Sequence, residues 1–135
     1  ERLFEISSSV VNKGHPTSMF SCVELGRSFL VVGTTDGTLL LFNNQNGRQI
    51  LRVKFSEVAK YGFEGQHRRA NEQCLNAICL LESAERIFGG SGGAVGELRI
   101  WTTQGELLWI LSGHYGSVTG VIATDEDNIV TKASG

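Results

Sequence analysis

Apolar residues along this chain come in short runs, mostly β-branched, aromatic or leucine, broken by turns rich in Gly, Asn and Asp. That pattern predicts strands. Residues 17–25 form the first, with Met19, Ser21 and Val23 on one face, and 26–28 are a turn. Residues 29–34 follow, then the hairpin signal Asp36-Gly37, then a strand over 38–42. A turn over 43–47 leads to a fourth strand over 48–55 carrying Ile50 and Val53. The same series returns as strands over 74–82, 86–90, 98–102 and 107–111, with a turn at Gln104-Gly105. A third series begins at His114, with a strand over 118–124, a turn over 125–128 and a second strand after it. Residues 3–11 read as the last strand of a preceding unit.

The repetition is also visible residue by residue. Gly37-Thr38-Leu39-Leu40-Leu41-Phe42-Asn43 lies under Gly96-Glu97-Leu98-Arg99-Ile100-Trp101-Thr102, which places Trp101 where Phe42 stood fifty-nine residues earlier. Internal repetition of this length marks stacked modules. The excess over a unit of about 40 residues falls in residues 56–73. There, Ser56 as N-cap and Gly62 just past the end predict one helical turn. The remainder, with Gly65-Gln66-His67-Arg68-Arg69, reads as an exposed loop.

These modules resemble the WD-repeat β-propeller family, whose units open with Gly-His and close the third strand with Trp-Asp. Gly14-His15 opens the first unit and Gly113-His114 the third. Asp36 stands six residues before Phe42, Thr34 stands two before Asp36, and Trp101 holds the tryptophan position of the second unit. The resemblance spans nearly the whole chain. It implies an all-β fold of antiparallel four-stranded blades, about two and a half of them, in an incomplete ring. Residues 1–13 are then the outer strand of a preceding blade, 14–55 blade 1, 56–73 an inserted loop, 74–112 blade 2 and 113–135 the start of blade 3. In the family a histidine, a hydroxyl, an aspartate and an indole bond one another across a blade, relieving the cost of burying polar groups. His15, Thr34, Asp36, Trp101 and His114 are the implied structural residues. The pattern is departed from at Phe42, which has no N–H, at Thr102 in place of the closing aspartate, and at Val95 in the turn-aspartate position.

Composition narrows the classes. The 135 residues are 41% hydrophobic, enough for a core, and seventeen glycines against one proline fit frequent tight turns. A formal charge of −2 provides no general attraction to nucleic acid or anionic membranes. No apolar run approaches the roughly 20 residues of a membrane span, and the first residues do not form a signal peptide. Cys22, Cys74 and Cys79 are an odd number and read as reduced core thiols, which points to a cytoplasmic or nuclear setting. With no initiating methionine and a strand running into the last residues, the chain reads as a piece of a longer one.

Several local patterns invite a catalytic reading and do not sustain it. Gly89-Gly90-Ser91-Gly92-Gly93 matches G-x-S-x-G, but that elbow needs a helix after the serine, and another strand follows; a flexible hairpin loop is expected. The same glycines lack the Gly-Lys-Ser/Thr of a phosphate loop. No Cys-x-x-Cys pair exists, so no metal or cofactor is expected. Leu107, Trp109 and Leu111 form a period-2 face expected in the core.

The function implied by the resemblance is a protein–protein interaction scaffold within a larger multisubunit assembly, without catalytic activity. A propeller-based enzyme, such as a quinoprotein or propeller-capped hydrolase, and a purely structural propeller in a coat-like or cilium-like assembly are the alternatives. The family's partner-facing positions carry over to Thr17, Ser18 and Thr35, with Asn76 and Ser117 at matching places. The inserted loop, with His67, Arg68 and Arg69, would add a basic arm to the same rim.

Overall fold

The computed structural model describes residues 20–53, 58–62, 74–92, 95–116, 118–124 and 128–133. They form ten antiparallel strands: β1 Phe20–Leu25, β2 Phe29–Thr34, β3 Leu39–Asn43, β4 Gln49–Val53, β5 Leu75–Leu81, β6 Arg86–Ser91, β7 Val95–Thr102, β8 Leu107–Tyr115, β9 Val118–Ala123 and β10 Ile129–Ala133. Two four-stranded meanders, β1-β2-β3-β4 and β5-β6-β7-β8, are followed by the β9–β10 hairpin. Among the described residues there is no α-helix, and one 3-10 turn spans Glu82–Ala84. The fold is therefore all-β and antiparallel, built from four-stranded sheets, as the strand periodicity predicts.

Each turn has a local cause. Gly37, Gly47 and Gly105 take positive φ (86°, 72° and 89°), a region open to glycine at little cost. Asn43 accepts from the backbone N–H groups of Gln45 and Asn46 through its Oδ1, closing the β3–β4 turn.

The sheets stack by their first strands: β1 packs on β5, and β5 on β9. Each sheet thus has a leading face, toward the preceding unit, and a trailing face, toward the next. Strands buried on both faces carry continuous apolar runs, unlike half-exposed strands that alternate. In β3, Leu39 and Leu41 join the core between the two large sheets, while Leu40 and Phe42 join a cluster on the leading face. A second core, around Phe88, Leu98, Ile100, Val118 and Val121, lies between the second sheet and the hairpin.

The registers repeat as closely as the sequence does. A bulge near the start of the first strand recurs in all three units, at Ser21, Asn76 and Thr119. A second bulge lies opposite the third-strand aromatic, at Ile50 across from Phe42 and at Leu108 across from Trp101. Phe42 and Trp101 both point to their leading faces and are 1% and 2% exposed, so they occupy equivalent surroundings.

Second-strand glycines let the sheets approach. Gly33 in β2 pairs with Cys22, and Gly90 in β6 with Ala77. A Cβ on Gly33 would stand 2.8 Å from Leu75 Cβ and 3.2 Å from Ile78 Cδ1 of the next sheet. On Gly90 it would stand 2.9 Å from Val118 Cβ and 3.2 Å from Val121 Cγ2. Leu75 and Ile78 hold the same register places in β5 as Val118 and Val121 in β9. The interlock is one device used twice.

Three sequence expectations change. Gly89, Gly90 and Ser91 belong to β6 and are buried, so the expected loop is shorter than the glycine run. Residues 58–62 are not helical; the N–H groups of Lys60 and Tyr61 donate to the carbonyls of Leu107 and Leu108 on the outer edge of β8. The Leu108 bulge places these two acceptors side by side, and the edge strand gains a partner. The same bulge splits the expected face: Leu107 enters the core between the large sheets, while Trp109 and Leu111 pack toward the hairpin.

Gly33→Ala and Gly90→Ala should each lower the unfolding free energy by roughly 1–3 kcal/mol, the usual cost of overpacking. Gly120→Ala, whose Cβ would meet nothing closer than Lys132 Cβ at 3.7 Å, should change it little. Urea unfolding of the three variants measures the difference.

Candidate functional site: one rim of the stacked sheets

Strand direction divides the turns between two rims. The first rim gathers the starts of β1, β5 and β9 with the β2–β3 and β6–β7 connections. The opposite rim gathers the β1–β2 and β3–β4 turns and their counterparts in the second sheet.

On the first rim the 34–38 turn is built from its own side chains. The Thr34 hydroxyl donates to the Asp36 carboxylate, and Thr38 N–H donates to Thr34 Oγ1 at 3.0 Å and Asp36 Oδ1 at 3.1 Å. Gly37 N–H closes the turn on Thr34 O at 3.1 Å. Thr34 is fully buried and Thr35 half-buried at the tip. The second sheet repeats the hydroxyl: Glu97 N–H donates to Ser91 Oγ at 3.0 Å, where Glu97 holds the place of Thr38. Ser91 is the residue that sequence reasoning missed. The Thr34/Ser91 register would have revealed it, had the glycines around it not suggested a loop. Its side chain is fully buried and structural, and a strand follows it.

Neighbouring sheets hold these turns in place. Arg99 of β7 is fully buried and donates from Nη1 to Gly37 O at 3.4 Å across the sheet boundary. Its Nη2 lies 3.7 Å from Glu97 Oε1. Burial pulls the Arg99 guanidinium below its ordinary value, and Glu97 opposes that shift. On the opposite rim Glu82 Oε1 accepts from Ser28 N–H at 2.9 Å and Phe29 N–H at 3.3 Å, a second inter-sheet tie. Along the first strands, Ser21 Oγ and Cys22 Sγ both donate to Leu75 O, the latter at 3.3 Å. Burial pushes the Cys22 thiol up to about 11, with hydrogen bonds to Ser21 and Gly33 opposing and the neighbouring Cys74 adding to the shift.

The structure brings together only some of the implied site residues. Thr34, Thr35 and Asp36 share one turn, and Asn76 lies on the same rim at the β5 bulge. The register counterparts of Asn76 are Ser21 and Thr119. His114 lies within β8, paired with Gly96. His15, Thr17, Ser18, His67, Arg68, Arg69 and Ser117 lie outside the described residues. Trp101 is buried over Gly89, and its Nε1 has no hydrogen-bond partner among the described residues, so it serves packing and no indole bond joins a polar quartet. The described part of the insertion does not join the first rim. Lys60 and Tyr61 reach Leu107 and Leu108 beside the opposite rim, where Lys60 Nζ lies 3.6 Å from Glu106 Oε1 and Tyr61 stacks near Trp109. The two carbonyls freed by the bulge draw the segment there.

Among the described residues, no group of three or more His, Cys, Asp or Glu side chains could hold a metal ion, and the three thiols are free. Among them, no helix is long and apolar enough to cross a membrane.

No protein-family model matches the chain, and no curated protein matches it. Among solved structures, it is similar to the crystal structure of the computationally designed Ika8 protein, with a TM-score of 0.40 and 17% identity over 86% of this chain. The chain spans 43% of the length of that protein. It is similar as well to the computationally designed Ika4 protein, with a TM-score of 0.39 and 16% identity, covering 87% of this chain and 92% of that one. At those TM-scores neither likeness adds to the fold described above.

Arg99→Met should cost roughly 3–5 kcal/mol, because it removes the cation beside the buried Glu97 carboxylate and the tie to Gly37 O. Adding Glu97→Leu should restore most of that loss. Chemical denaturation of the single and double variants gives both values.

Proposed function

We propose that this chain is a segment of a WD-repeat-type β-propeller and serves as a protein–protein interaction scaffold in a larger assembly, in a cytoplasmic or nuclear setting. The observation that carries the reading is the internally braced connection of the first sheet on one rim, whose hydroxyl bond recurs at Ser91 of the second. A turn tied by Thr34, Asp36 and Thr38, and fixed from the next sheet by Arg99, presents Thr35 at a set position. Asn76 stands on the same rim at a bulge that re-aims its side chain away from the regular alternation. Rigid elements that display loop side chains at fixed spacing favour recognition of another protein surface, since little entropy is lost on binding.

The second sheet displays its own version of this rim, so the scaffold offers a row of positions. Thr17, Ser18 and Ser117 extend that row in the family's pattern, and His67, Arg68 and Arg69 supply a basic arm for an acidic surface. No catalytic residue and no cofactor belong to this reading.

Photo-cross-linkers placed at Thr35 and Asn76, and as controls at Asn46 and Gln104 on the opposite rim, test it in the cellular assembly. Specific adducts from the first pair, absent from the controls, are the expected result. Adducts confined to the controls would contradict it.

A further inference from the structure

The outer edge of the second sheet is occupied, and the outer edge of the first repeats its acceptors. In β8 the bulge sets Leu107 O and Leu108 O side by side, and the N–H groups of Lys60 and Tyr61 donate to them. Three side chains complete that contact. Ala59 is buried in the core cluster that holds Trp101, Lys60 Nζ lies 3.6 Å from Glu106 Oε1, and the Tyr61 ring centroid lies 5.5 Å from that of Trp109. The register counterparts of Glu106, Leu107, Leu108 and Trp109 in the first sheet are Arg48, Gln49, Ile50 and Leu51. The bulge recurs there, so the carbonyls of Gln49 and Ile50 turn outward in the same way. Among the described residues β4 has no strand on that side, and Ile50 is 47% exposed where Leu108 is 6%.

The two edges differ in charge. A guanidinium at Arg48 stands where the second sheet has the Glu106 carboxylate, and aliphatic Leu51 stands where it has Trp109. A segment lying on β4 as residues 59–61 lie on β8 needs an acidic residue in the place of Lys60 and an apolar one in the place of Tyr61. The chain has that pair at the matching distance. Tyr61 stands fourteen residues before Leu75, and Ile6, preceded by Phe4 and Glu5, stands fourteen before Phe20, the register counterpart of Leu75. A second observation concerns the leading face of the first sheet. Val32, Leu40 and Phe42 are 3%, 0% and 1% exposed there, and the apolar residues packed against them, Phe20 and Leu30, belong to the same sheet. A sheet face is buried by another element, and Ala59 enters the second sheet's core on the corresponding side.

We infer that the outer edge of β4 is a docking site for an extended segment with an acidic residue followed by an apolar one, and that residues 3–6 of this chain are its occupant. Those residues lie outside the described ones. The N–H groups of Glu5 and Ile6 then donate to Gln49 O and Ile50 O, Glu5 pairs with Arg48, Ile6 packs on Leu51, and Phe4 reaches the cluster around Phe42. Main-chain bonds along an open edge hold such a segment, and its side chains select it. Covering the edge also removes a template for unwanted strand pairing. This placement differs from the expectation that residues 3–11 are the last strand of a preceding unit, and it is independent of the rim proposed to bind a partner.

Two measurements on the full chain test it. A benzoylphenylalanine photo-cross-linker at the exposed Gln49 position should give an intrachain adduct on residues 3–6, located by peptide mass mapping. Adducts on another segment, or on a second chain, would overturn the inference. In amide hydrogen exchange, the Glu5 and Ile6 N–H groups should be protected. Arg48→Glu should speed their exchange about two- to fivefold, the range for an exposed ion pair, and adding Glu5→Arg should restore the protection. Arg48 is exposed in a turn, and thermal melting verifies that the variants fold. Exchange at the rate of a free peptide, protection that ignores the charge at position 48, or protection not restored by the paired reversal would each contradict the docking.

Discussion

The close approach of successive sheets at a second-strand glycine is the constraint from which the rest of this structure follows. Packed sheets ordinarily lie about 10 Å apart, and aliphatic residues of one fill the spaces of the other. Here Leu75 and Ile78 press onto Gly33, and Val118 and Val121 onto Gly90, closer than any side chain at those glycines would permit. The first strands are thereby aligned from unit to unit. Both faces of β3 are covered, so it is apolar at successive positions, and the run Leu39-Leu40-Leu41-Phe42 is buried throughout.

Close stacking buries polar groups as well, and their pairing shapes the rims. Thr34 and Ser91 use their hydroxyls to satisfy the N–H groups of Thr38 and Glu97 near the start of each third strand. Arg99 reaches across the boundary to the Gly37 carbonyl, and Glu82 reaches across at the other rim to Ser28 and Phe29. A buried guanidinium contributes little net stability, since its desolvation offsets much of its attraction to Glu97. Its geometry matters more, because it ties a surface turn of one sheet to the interior of the next. The rim that carries Thr35 and Asn76 is stiff for that reason.

Much of this was readable from residues alone. The Asp36-Gly37 and Gln104-Gly105 signals mark turns whose backbone requires glycine, and the repeat from Phe42 to Trp101 fixes strand order in both sheets. The Thr34–Asp36 bond was expected from the family resemblance and not from the spacing alone. What escaped had tertiary causes. A glycine that receives a neighbouring sheet looks, in sequence, like one that makes a loop, so Gly89 and Gly90 fit both the strand over 86–90 and a loop over the glycine run, and the packing decides for the strand. Bulges shift alternation by one residue without any local signature, which concealed that Leu107 and Trp109 face different cores. The path of residues 58–62 depends on two carbonyls exposed by the Leu108 bulge forty-odd residues further along, and no local propensity encodes that.

The direct test of the glycine interlock is a double-mutant cycle in unfolding free energy between Gly90→Ala and Val118→Ala. If the two residues fit one another as socket and filling, removing the valine methyls makes room for the new Cβ. The double variant should then be more stable than the sum of the single changes predicts, by about 0.5–3 kcal/mol of coupling. Strictly additive losses would show that the two sheets do not interlock there.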